Sequence, residues 1–219
     1  MSRPVIVVAA FFLLVATAVH APAAHTIWLE AEQFENIGGW TTDAQFIDQM
    51  GSPYLLATGM GKPVEDATTT ILPPAAGRYR VWVRTCDWIP EHHPGRFQLV
   101  LGGKPLEHVF GQSGKPGWRW EDGGVVEVAG PTELRLRDLT GHYGRCDVIV
   151  LSSDLEWTPP DDVADIERLR VAYGALGPIE TVGPSDVVVI GGGLAGCTAA
   201  VAAARNGASV VLIQNRPVL

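Results

Sequence analysis

Between Asp186 and Gln214 the chain reads DVVVIGGGLAGCTAAVAAARNGASVVLIQ, and this stretch constrains its fold more tightly than any other. The apolar run Val187–Ile190 leads directly into Gly191-Gly192-Gly193-Leu194-Ala195-Gly196. Ala199, Ala200, Ala202, Ala203 and Ala204 follow, and alanine is the best helix former. Asn206-Gly207 then closes the helical segment, glycine being suited to the left-handed position past a helix end. A second apolar run covers Val210–Ile213. The order is strand, glycine turn, helix, strand.

That order is the context in which G-x-G-x-x-G signals a dinucleotide-binding turn. Gly191 permits the sharp exit from the strand. Gly193, lacking a Cβ, lets a pyrophosphate approach the backbone, with Leu194 and Ala195 opening the helix beside it. Gly196 lets the helix lie close to the sheet. The helix N-terminus offers unpaired N–H groups and partial positive charge to an anion. The pattern departs from the usual one at the end of the second strand. A carboxylate normally holds the ribose hydroxyls there, but this chain has Gln214, followed by Asn215 and Arg216. An amide still hydrogen-bonds a hydroxyl, without charge assistance, and Arg216 would suit a phosphorylated ribose, although Pro217 behind it suggests a turn that carries it away. On this chemistry FAD, NAD and NADP all remain open.

The segment VVVIGGGLAGCTAAVAAARNGASVVLIQNRPVL resembles the opening of secreted bacterial FAD-dependent oxidoreductases, which often carry a lectin-like β domain. The resemblance implies FAD as cofactor, with Gln214 near the adenosine ribose and Gly191, Gly193 and Gly196 at the pyrophosphate. A complete mononucleotide-binding half has three strands and two helices. The stretch from residue 186 to 219 supplies only its first βαβ unit, an incomplete α/β Rossmann-type domain. The expectation is an N-terminal fragment that is inactive alone, with catalytic residues and substrate choice lying downstream.

Residues 1–24 read as an export signal. Arg3 gives the positive start, Val5–Val19 is almost continuously apolar, and Ala21, Ala23 and Ala24 supply small residues for cleavage. The apolar run is shorter than the roughly 20 residues that span a bilayer. The expected location is therefore periplasmic or extracellular, with no membrane association after cleavage. A net charge of −8 argues against nucleic acid as a partner.

Residues 25–153 show short alternating runs separated by Gly and Pro, the signature of an all-β sandwich. Tyr79, Val81 and Val83 share one strand face, and Arg80, Trp82 and Arg84 the other. Phe97, Leu99 and Leu101 alternate before a Gly102-Gly103 hairpin turn. Leu134 and Leu136 alternate with Arg135 and Arg137, and the charge of Asp138 on the leucine face predicts a strand end near Arg137. Val148–Leu151, apolar on both faces, predicts a central strand. About eight strands in a jelly roll are expected.

Glu30-Ala31-Glu32 puts two carboxylates on one side of a strand, where they repel unless a cation lies between them. A solvated acidic edge is the other reading. The domain resembles calcium-binding, galactose-binding-like jelly-roll carbohydrate-binding modules, which open with a similar E-A-E and bring an Asp from the last strand to the same ion. Asp147 matches that Asp, so the resemblance implies a structural calcium on Glu30, Glu32 and Asp147. It also implies a carbohydrate ligand. Trp40, Trp88, Trp118 and Trp120 are candidates for stacking on sugar, against the alternative that they are core. His92-His93 reads as a solvated loop. Cys86 and Cys146 are candidates for a disulfide, and Cys197 for a packing residue.

In the connector, 154–185, Pro159-Pro160-Asp161-Asp162 sets up a helix start. Val163, Ile166, Leu169 and Tyr173 form an apolar stripe that predicts a docked helix. The reading is thus the N-terminal part of an exported FAD-dependent oxidoreductase. Its alternative is a carbohydrate-binding module followed by a non-functional piece.

Overall fold

The computed structural model describes residues 24–174 and 181–214. Its first part is the expected jelly-roll β-sandwich. One sheet has six strands: β2 (Trp40–Asp43), β3 (Tyr54–Ala57), β10 (Arg145–Ser152), β5 (Gly77–Cys86) and β8 (Trp118–Val128) in that order, with β1 (Thr26–Glu30) also paired to β10. The facing sheet has four: β4 (Ala67–Ile71), β9 (Thr132–Asp138), β6 (Phe97–Leu101) and the short β7 (Lys104–Pro105). The sandwich pairings are antiparallel. Gly102-Gly103 forms the turn between β6 and β7, as their positive φ values of 55° and 80° require.

The two sheets enclose one core. Tyr79, Val81 and Val83 of β5 meet Phe97, Leu99, Leu101, Leu134 and Leu136 from the opposite sheet, with Trp40 edge-on to Phe97. These are the positions that the alternation in the sequence marks as inward. β9, however, runs on through Asp138, one residue past the expected end. Asp138 is buried because its carboxylate accepts the backbone N–H groups of Val64, Thr140 and Gly141, stitching two loops to the strand end. A charge on an apolar face here marks a loop anchor and not a strand terminus.

β10 is buried along nearly its whole length, as its two-sided apolar sequence predicts. Cys146, Ile149 and Leu151 belong to the inner core, whereas Val148 and Val150 face outward. The alternation slips at Asp147–Val148, where the register with β5 jumps between Cys146↔Thr85 and Ile149↔Val83. This is a bulge. It coincides with a change of neighbour along the other edge: Arg145 and Cys146 pair with β3, Val148–Ser152 with β1.

The outward face of the sheet is covered by the segment that follows. Residues 154–160 are fixed to side chains of β5 and β8: Arg80 donates to the Leu155 carbonyl (2.8 Å), Trp82 Nε1 to that of Trp157 (3.2 Å) and Trp120 Nε1 to that of Pro160 (2.9 Å). Helix α2 (Val163–Ala172) begins with Asp162 capping Ala164 and Asp165. It seats Ile166 and Leu169 on Trp28, Val148 and Val150, and Tyr173 stacks on Trp28 at 5.8 Å. The apolar stripe of the connector therefore docks on the sandwich itself.

Cys86 and Cys146 are both buried and both free. Cys146 pairs with Thr85 and lies in the inner core, while Cys86 pairs across the other edge of β5 with Trp118. The second part of the chain is a parallel pair, β11 (Val187–Ile190) and β12 (Val210–Ile213), joined by helix α3 (Leu194–Arg205).

Asp138→Ala strands three backbone N–H groups at the sandwich edge. It is expected to lower unfolding free energy by about 3 kcal/mol, read as a lower urea midpoint with an unchanged slope.

Candidate functional site

The glycine turn takes the form its sequence demands. Gly191 has φ +101°, a conformation that a side chain would strain. A Cβ on Gly196 would lie 1.7 Å from the Gly191 carbonyl oxygen, so α3 can pack against the turn only because residue 196 has none. At Gly193 the opposite holds: among the described residues, no atom beyond its own chain neighbours lies within 4 Å of where its Cβ would stand, leaving open space over bare backbone. Gly193 is the N-cap of α3 and carries no side-chain cap. The first intrahelical bond is Cys197 N–H to the Gly193 carbonyl (2.9 Å), so the N–H groups of Leu194, Ala195 and Gly196 precede the ladder. Helix dipole, unpaired donors and free volume converge at one point, the physical requirement for holding a phosphate. This donor set fits the pyrophosphate of a dinucleotide.

Two contacts hold the turn and a third ties the far ends of the strands, none of them foreseen from the sequence. Gln214 at the end of β12 accepts the Gly192 N–H through Oε1 at 3.0 Å, so this amide braces the glycine loop. Cys197, half-buried, donates its thiol to the Gly192 carbonyl at 3.0 Å. Asp186 and Ser209 tie the strand entrances together, Ser209 Oγ donating to Asp186 Oδ2 at 2.7 Å. Gly207 ends α3 at φ +87°, as expected. Asn215 and Arg216 lie outside the described residues, as do residues 1–23 of the expected signal.

The three carboxylates singled out in the sandwich are arranged differently from the expectation. β1 ends at Glu30, and Ala31–Gln33 form a 3-10 turn, so Glu30 and Glu32 do not share a strand face. The bulge of β10 turns Asp147 outward, and the buried partner of these acids is a side chain. Arg170 of α2, with 1% side-chain exposure, donates from Nε to Glu30 Oε1 at 2.7 Å and from Nη2 to both Asp147 oxygens at 3.2 Å. It also reaches the Met50 carbonyl at the end of the short helix α1 (Ile47–Met50) at 2.6 Å, and Ser52 Oγ at 2.7 Å. Arg84 adds a second cation, 3.3 Å from Asp147 Oδ2. Burial pushes Asp147 up to about 7 against the pull of the two arginines, and pushes Glu32 up to about 8, helped by Glu30.

A calcium ion takes about six to eight oxygens at roughly 2.3–2.6 Å. Here a guanidinium already lies against Glu30 Oε1 and both oxygens of Asp147, and no group of three His, Cys, Asp or Glu among the described residues converges as a metal cage. The residues do not fit the expected calcium.

The tryptophans divide. Trp40 is buried in the core, and Trp120 belongs to the outer cluster under α2. Trp118 packs on Tyr54 at 4.8 Å. Trp88 is half-buried at one end of the sandwich, edge-on to the exposed Tyr143 at 5.5 Å, with the Arg145 guanidinium 5.3 Å from its ring centre. His92 is exposed, as expected of a loop. His93 is not simply solvated: its Nδ1 is 2.7 Å from the buried Asp87.

Fold and site together define a two-part chain, a jelly-roll sandwich followed by the opening βαβ unit of a dinucleotide-binding fold. Residues 186–219 match the family described as FAD dependent oxidoreductase. Among solved structures, the chain is similar to a family 35 carbohydrate-binding module from Clostridium thermocellum, with 14% identity, a TM-score of 0.48, and 57% of this chain covering 96% of that one. A GH26-CBM35 β-(1,4)-mannanase from Podospora anserina shares 18% identity at a TM-score of 0.47, with 86% of this chain and 42% of the mannanase covered. The C-terminal CBM6 of a laminarinase from Zobellia galactanivorans shares 17%, with a TM-score of 0.42, over 58% of this chain and 99% of the module. No curated protein matches the chain.

Gln214→Ala removes the acceptor of the Gly192 N–H. Amide exchange at Gly192 is expected to quicken roughly tenfold, and Gln214→Glu, which keeps an acceptor oxygen, to restore protection.

Proposed function

We propose that this chain is the N-terminal part of an exported FAD-dependent oxidoreductase and that the turn Gly191–Gly196 receives the FAD pyrophosphate. The observation that carries the reading is the open, Cβ-free space at Gly193 over the uncapped start of α3. The match of residues 186–219 to the FAD-dependent family supports it. Bound flavin supplies the electron transfer. The residues of this chain supply position. Leu194, Ala195 and Gly196 offer backbone N–H groups, Gly191 and Gly196 keep helix and strand close, and Gln214 braces the loop from the strand end where the adenosine ribose belongs. Export rests on residues 1–24, whose charged start, apolar run and small residues form a signal sequence.

In the protein carried on through its downstream residues, Gly193→Val places a side chain in the phosphate's space. Loss of bound flavin absorbance, with folding retained by circular dichroism, is expected. A variant that keeps its flavin overturns the assignment.

A second reading concerns the sandwich alone: carbohydrate recognition at the Trp88–Tyr143 end. Tyr143 holds a left-handed backbone (φ +60°), unusual for a bulky residue, and from there shows its ring to solvent beside Trp88. The exposed Tyr143 beside the half-buried Trp88 suits the apolar face of a sugar, and the neighbouring His142 and Arg145 supply polar groups. On a glycan array, Trp88→Ala and Tyr143→Ala are expected to erase binding while leaving the melting temperature nearly unchanged. Equal signals from both variants and the parent would remove this reading.

A further inference from the structure

A group of buried charges surrounds Arg170, and its arrangement points to a role for the connector helix that the proposed function does not contain. Glu30 is 4% exposed and Asp147 fully buried. Glu30 divides its two oxygens: Oε1 takes the Arg170 Nε–H and the Trp28 indole N–H (2.7 Å each), while Oε2 is buried with no hydrogen-bond partner. Glu32 Oε2 is in the same state. A carboxylate oxygen so placed lacks a cation or donor on that side. The acids therefore exceed what one guanidinium can satisfy, and they do so around the guanidinium itself.

We propose that Arg170 is the resident cation of this acidic centre, standing where a hard divalent ion would otherwise bind, so that the Arg170 guanidinium and a divalent cation at Glu30, Glu32 and Asp147 are mutually exclusive. The guanidinium is delivered from outside the sheet by a helix already held through Ile166, Leu169 and Tyr173. It reaches Asp147 because the bulge of β10 turns that residue out of the core, and it reaches the Met50 carbonyl and Ser52 hydroxyl that fringe the same pocket. The planar fork of arginine uses those acceptors together, as a spherical ion would use them by coordination. With Arg170 in place its guanidinium already occupies Glu30 Oε1 and both Asp147 oxygens, which a calcium-sized ion would need as ligands. With Arg170 removed, Glu30 and Glu32 lose that cation, and Asp147 keeps only Arg84, 3.3 Å from its Oδ2. The helix is thus an internal counter-ion, and the sandwich is complete only with the segment that leads toward the nucleotide-binding unit.

The test uses the whole chain, with calcium and terbium as probes. The parent protein is expected to melt at the same temperature in EDTA and in millimolar calcium, and to give no terbium emission sensitised by Trp28, whose indole is bonded to Glu30. Arg170→Ala is expected to melt on the order of 10 °C lower in EDTA, to regain most of that loss in calcium, and to sensitise terbium. A parent chain stabilised by calcium overturns the proposal, as does a soluble Arg170→Ala that ignores both ions. If Arg170→Ala does not fold in either buffer, Arg170→Lys decides. Keeping a cation, it should stay soluble and indifferent to calcium, and calcium-dependent melting of that variant overturns the assignment.

Discussion

The sandwich depends on burying β10 from both sides. A strand apolar on one face needs one layer of cover, and a strand apolar on two needs a second. The four-stranded sheet covers Cys146, Ile149 and Leu151, and the second layer over Val148 and Val150 comes from the strap and α2. Both parts of that layer are fixed by polar contacts from the sheet's own outer face, Arg80, Trp82 and Trp120 reaching strap carbonyls. Side chains that look like ordinary surface alternation on β5 and β8 are therefore anchors.

The same two-sided burial accounts for the ionic centre. Asp147 lies where β10 changes neighbour from β3 to β1, and the bulge there turns two successive residues outward beneath α2. A carboxylate buried at that point is costly unless it is paired, and breaking a buried pair by removing one partner costs about 3–5 kcal/mol. Arg170 and Arg84 pair with it, and Ser52 Oγ donates to it at 2.8 Å. Because these contacts need exact register between α2 and the sheet, they fix how the helix sits, while its apolar residues supply most of the attraction.

Much of this was legible in the sequence because side-chain periodicity reports on burial. The inward faces of β5, β6 and β9, the central position of β10, the docking of the connector stripe and the strand–turn–helix–strand order all follow from residue pattern. What was not legible is contact between segments distant along the chain. Glu30 and Arg170 are 140 residues apart, and an Arg inside a helical stripe reads as a solvated charge. Asp138 reads as a strand stop because its three N–H donors lie in loops whose paths periodicity does not set. The E-A-E pattern assumed a continuing strand, yet β1 ends at Glu30. One signal for the Arg170 contact was present: it follows Leu169 and falls four residues after Ile166, on the edge of the apolar stripe. An arginine at that spacing opposite unpaired acids is a candidate internal cation.

The two units build charge complementarity by opposite means, and the difference bears on what each can hold. In the sandwich, side chains meet side chains, and a substitution at Arg170 changes the charge of the site directly. In the glycine turn the candidate donors are backbone N–H groups, and the side chains of Gln214 and Cys197 bond the backbone of Gly192. A site made of backbone reads the shape and charge of a diphosphate but little else. In dinucleotide-binding folds, selection among ligands comes from the edge at the end of the second strand. Gln214 stands at that edge with its Oε1 already engaged by the glycine loop, so it has less to offer a ribose than a free carboxylate would. The position where dinucleotide folds usually carry an acidic ribose reader is thus taken by a residue that braces the glycine loop.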